Sequence, residues 1–120
     1  MNAAVLGGLV EQWVWRCQKL ASRYQMRQQM DLNAEVETLV QQADVQARQL
    51  ENNGPVFLAA LESRLEIRAH IAELPEPLAP DKLTDPVLNA MGRAQALHTL
   101  AAAFGAAAER LKLERFKPAA

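Results

Sequence analysis

Apolar residues recur along this chain at alternating steps of four and three. Leu6, Val10, Trp13, Cys17, Leu20 and Tyr24 form one such series, and Ala90, Ala94, Leu97, Ala101, Phe104, Ala108 and Leu111 form another. Steps that average half a heptad place side chains along one seam of an α-helix, where they interlock with a facing helix. The pattern predicts an all-α fold: a bundle of about four helices, built as two antiparallel hairpin-like pairs with a long Pro-rich connector before the last helix.

The first helix is expected over Ala3 to Gln29. The Gly7-Gly8 pair weakens its first turns by roughly 1 kcal/mol per glycine relative to alanine. A break is expected near Met30-Asp31-Leu32-Asn33, where Asp31 or Asn33 would cap a second helix. No Gly or Pro marks that joint, so a single continuous helix remains the alternative. The second helix would turn Val36, Leu39, Val40, Ala43, Ala47 and Leu50 inward and end at Asn52-Asn53-Gly54-Pro55. Asn and Gly accept the left-handed conformation common at helix C-termini, and Pro55 can start the next helix. So short a turn predicts antiparallel neighbours.

The third helix is expected over Pro55 to Leu74, with Phe57, Leu58, Leu61, Leu65, Ile71 and Leu74 on a broad apolar face. Its charges give no local support. Glu62 and Glu66 are like charges four apart, as are Arg64 and Arg68, so packing or a partner must hold this helix. Residues 75–85 hold Pro75, Pro77 and Pro80, which oppose helix and favour an extended connector. Thr84 or Asp85 would cap the last helix, with Pro86 in its first turn and its end near Arg115.

Composition narrows the picture. At 120 residues the chain has the length of one domain, and we read 1–120 as a single helical domain. Ala, Leu, Gln, Glu and Arg dominate, the residues that lose least on entering a helix. The single Cys17 excludes an intramolecular disulfide and, lying on the first seam, reads as a small buried hydrophobe. The run Ala3 to Val10 is too short to span a membrane, and charged residues follow it. No secretory signal pattern is evident, so a cytoplasmic location is expected.

Catalytic chemistry is not apparent. Glu66, His70 and Glu73 share a helical face, but no Cys or second His lies near enough in sequence to build a metal site, and no metal or cofactor is expected. Ser22 and Ser63, the only serines, lie outside any glycine elbow, and no glycine-rich phosphate loop is present. The chain is therefore expected not to be an enzyme.

Charge and tryptophan suggest binding instead. Residues 1–30 carry an excess of three positive charges, and residues 31–54 an excess of four negative ones. The simpler reading makes the first two helices complementary neighbours. The sharper one lets Arg16, Lys19, Arg23 and Arg27 line a polyanion from one helical stripe. Trp13 belongs to the seam. Trp15, two positions on, must point elsewhere, and with Leu6 and Val10 at the glycine-weakened N-terminus it makes the candidate partner contact.

The junction Leu50-Glu51-Asn52-Asn53-Gly54 followed by Phe57-Leu58-Ala59-Ala60-Leu61 is similar to a helix–turn–helix junction in small helical subunits of CRISPR effector complexes. The last helix is similar to oligomerisation helices of phage terminase small subunits. Neither stretch carries a motif that transfers a functional residue. The expectation is thus a non-enzymatic interaction protein, a subunit or adaptor that binds a protein partner or its own copies. A nucleic-acid-associated subunit of a ribonucleoprotein or phage complex is the alternative, and a membrane partner is not expected.

Overall fold

The computed structural model describes residues 3–23, 32–72 and 85–115, and every one of these except Leu50 lies in a helix. The order is α1 (Ala3–Arg23), α2 (Leu32–Gln49), a 3₁₀ turn (Glu51–Asn53), α3 (Gly54–Ala72) and α4 (Asp85–Arg115). The expected all-α bundle of four helices is the observed one. The expected end of the first helix at Gln29, most of the connector 75–85, and Leu74, Tyr24 and Thr84 lie outside the described residues.

α1 and α2 are separate and antiparallel. Arg16 of α1 donates to Gln42 of α2 at 2.6 Å, whereas a continuous helix would hold residues that far apart in sequence nearly 40 Å from each other, by a rise of about 1.5 Å per residue. From that bond the two helices run back together, Lys19 and Ser22 of one and Thr38 and Ala34 of the other bordering one groove. Asn33 lies inside α2, not at its cap. α3 and α4 form the most extensive antiparallel pair, tied by Glu66 to His98 at 3.1 Å; the expected second hairpin-like pair is not formed, because α1 packs mainly on α4 and α3 and only lightly on α2. α2 and α4 run parallel, with Arg48 bridging Asp44 at 2.9 Å and Glu114 at 2.8 Å.

The core is one continuous apolar cluster with contributions from all four helices. Phe57, Leu58, Leu61 and Leu65 of α3 and Leu100 and Phe104 of α4 are completely enclosed. Trp13 of α1 meets Phe57 edge to face, with ring centroids 6.1 Å apart, an arrangement favoured by the ring quadrupoles. The predicted inward residues of α2 are all buried, as are the predicted seam residues of α4 from Ala94 to Leu111. Among the described residues no polar or charged side chain is buried, so the interior holds together by packing alone.

Ile71 and the α2–α3 turn depart from expectation. Ile71 is 73% exposed. At about 100° per residue it lies roughly a third of a turn from the centre of the Phe57–Leu58–Leu61–Leu65–Ala69 face. The turn between α2 and α3 also works differently. The residue with positive φ is Glu51, at 54°, while Gly54 is helical with φ of −59°. Gly54 is required for space instead: a Cβ there would run into the Ala47 carbonyl and press on the Leu111 side chain.

Candidate interaction faces

α1 is amphipathic, and its two tryptophans separate its faces. Val10, Trp13, Val14, Cys17, Leu20 and Ala21 are buried, whereas Trp15 is 58% exposed. Residues two apart on a helix differ by roughly 200° in direction, so the seam that fixes Trp13 turns Trp15 outward. Lys19, one turn on, lays its ammonium 4.6 Å from the centre of the Trp15 ring. Arg16 lies 4.1 Å over the Trp13 ring while it holds Gln42. Each cation is thus seated on an aromatic face, where the ring quadrupole attracts it.

The other residues expected at the partner contact divide. Leu6 is half-buried and packs against the core. Val10 is buried within the chain's own core and has no surface to offer a partner. Of the predicted basic stripe, Arg16 and Lys19 lie on α1 at the edge of its buried seam, within reach of solvent. Arg23 is the last residue of α1, but its side chain, like all of Arg27, lies outside what is described.

Arg16 and Lys19 border an open groove of about 700 Å³ between α1 and α2, with Ser22, Glu35, Thr38 and Gln42 along its rim. Its lining is mixed in charge. The Arg16–Gln42 bond across it joins a cation to a neutral amide.

Arg64 and Glu66 of α3 are used between helices. Arg64 pairs with Glu11 of α1 at 3.0 Å, and Glu66 with His98 of α4 at 3.1 Å. Glu62 lies over Gly105 of α4, so closely that a Cβ there would collide with its carboxylate. With Phe57, Leu58, Leu61, Leu65 and Ala69 buried in the core, the helix is held by its neighbours. His98 flanks the core as expected, half-exposed. Among the described residues no three His, Cys, Asp or Glu side chains converge as a metal site would require.

Cys17 is fully enclosed, and burial pushes its thiol up to about 12, with Arg16 opposing weakly. Arg48 is shifted upward by its hydrogen bonds to Asp44 and Glu114, which hold the proton on the guanidinium.

One surface feature escaped the sequence reading. Val56, Ile67 and Ile71 are exposed on the outer side of α3. Their spacing of eleven and four residues marks a single stripe, a periodicity hidden by reading Ile71 into the core face.

No protein-family model, curated protein or solved structure matches the chain. Among the described residues no helix is long and apolar enough to cross a membrane.

Proposed function

We propose that the chain is a non-enzymatic helical interaction protein, a subunit or adaptor that docks through the outward face of α1. The observation that carries this reading is Trp15, 58% exposed on a helix whose inward seam is already complete. A large aromatic left in water beside a finished core is the kind of side chain that anchors interfaces. Lys19 over its ring gives the indole a cationic neighbour, while Glu11, one turn earlier, is already paired with Arg64. The complementary partner is a protein surface with an apolar slot for the indole and carboxylates around it.

The test is co-purification from the source cell with and without nuclease, followed by binding measurements with the purified partner. A partner that survives nuclease and binds at least tenfold more weakly to Trp15→Ala, with the melting temperature unchanged, supports the reading. Equal binding by Trp15→Ala overturns it.

A second reading, an adaptor for single-stranded nucleic acid, draws on Lys19 seated on the exposed Trp15 indole with Arg16 one position from that tryptophan, since bases stack on aromatic rings and phosphates seek Lys and Arg. Quenching of tryptophan fluorescence by an oligonucleotide, lost steeply as salt rises, would favour it. An absence of quenching at low salt removes it.

A further inference from the structure

The parallel pair α2 and α4 leaves an open groove of about 400 Å³ on the surface. Val36, Val40 and Gln41 of α2 and Ala103 and Ala106 of α4 line it. Ala102, Ala106, Glu109 and Leu113 follow one another on the outer side of α4 at steps of four and three, all exposed, Leu113 to 71%. That spacing repeats the period of the buried seams on a face that nothing within the described chain covers. Two alanines there allow a second helix to approach closely.

Charge identifies the occupant. Glu37 stands on the α2 side of the groove and Arg110 on the α4 side. Neither forms an ion pair or hydrogen bond with another described residue. They are offset along the groove. Glu37 and Ala103 each lie eleven residues before a member of the Arg48–Glu114 bridge, so Glu37 is level with Ala103, and Arg110 lies about two turns further on.

We propose that the occupant is a second copy of this chain, related by a two-fold axis at Ala106, with α4 packed antiparallel on α4 of its partner. An antiparallel pairing centred there sets Arg110 of each copy opposite Ala102 of the other, one position from the level of Glu37. The two unpaired charges of one copy then meet their opposites on the other, twice, by symmetry. The match comes from the offset: the same helices paired in parallel would set like charges level. Glu109 does not compete, because Lys112 holds it at 3.3 Å. This interface uses residues of α2 and α4 only and does not depend on the reading of Trp15.

The experiment is sedimentation equilibrium on the full chain at tens of micromolar, with helix content monitored by circular dichroism. The wild type sediments as a dimer. Glu37→Arg and Arg110→Glu each replace two attractive contacts by repulsive ones and weaken the dimer by about tenfold or more. Mixed in equal amounts, the two variants recover a dimer. The arginine introduced into one copy then faces the glutamate introduced into the other, and the unchanged Arg110 of the first faces the unchanged Glu37 of the second. That rescue is available only to contacts between chains. Ala106→Gln, a bulky change at an exposed helical position, also yields monomer, while Trp15→Ala leaves the dimer intact. A monomeric wild type, or a mixture no more associated than either variant alone, overturns the proposal.

Discussion

The pair α3–α4 and the N-terminal helix α1 solve the same problem at different depths. α3 and α4 contribute six completely enclosed large side chains, Phe57, Leu58, Leu61, Leu65, Leu100 and Phe104, whereas α1 contributes Cys17. The glycines separate the regions too. A Cβ at Gly54 would collide with the Ala47 backbone and one at Gly105 would displace the Glu62 carboxylate, whereas at Gly7 and Gly8 it would meet nothing within 4 Å. One part of the molecule is committed to internal packing. The other keeps a loosely held first half and turns a tryptophan outward, which is how a scaffold and a presenting arm should differ.

The largest test of that difference is core truncation. Phe104→Ala removes a fully enclosed ring from the centre of the α3–α4 pair and is expected to cost about 3–5 kcal/mol. Leu6→Ala, at a half-buried site on α1, is expected to cost about 1 kcal/mol. Urea denaturation of the two variants measures both. Equal losses would mean that α1 is as deeply built into the fold as α4, and the comparison would fail.

The one enclosed group of α1 gives a pH test of intermediate size. The Cys17 thiol titrates near 9 in an unfolded chain and is raised to about 12 in the folded one. Between those values the unfolded state binds fewer protons, so unfolding becomes easier as pH rises. The stability due to Cys17 is complete below pH 9 and falls above it, by up to about 1.4 kcal/mol per pH unit, until about pH 12. Denaturation midpoints from pH 8 to 11 for the wild type and Cys17→Ala should diverge in slope. Parallel curves would show that the seam of α1 opens to solvent, and its thiol would then react with alkylating reagents in the native state.

The seams of α1, α2 and α4 were legible because a helix repeats its direction every few residues, so burial leaves a local trace. The outward turn of Trp15 follows from the same geometry and the neighbouring seam. Ile71 departs from the expected core face because its angular position, unlike its hydrophobicity, lies off that face. Gly54 misled for another reason. Glycine in a turn suggests backbone freedom, yet here the constraint is the Ala47 carbonyl and Leu111, fifty-seven residues away, and Glu51 takes the left-handed conformation. The Arg48–Glu114 and Glu66–His98 pairs, and the groove beside Glu37 and Arg110, depend on helix register that no local pattern encodes.

The smallest and most discriminating test concerns Gly7 and Gly8. Each lies in α1 with no positive φ and with open space where a side chain would go. Nothing in the chain's own described packing requires glycine there, and each costs the helix up to about 1 kcal/mol relative to alanine. Gly7→Ala and Gly8→Ala are therefore expected to raise stability by about 0.4–1 kcal/mol each, read as a higher urea midpoint with an unchanged slope. If the open side of α1 receives a partner's backbone at close range, the added methyls should weaken that complex while they stabilise the free chain. Opposite signs in the two measurements would place the contact over the glycines as well as Trp15. Stabilisation with unchanged binding would confine it to the Trp15 end of the helix. Destabilisation of the free chain by either substitution would contradict the open geometry and remove the contrast with Gly54.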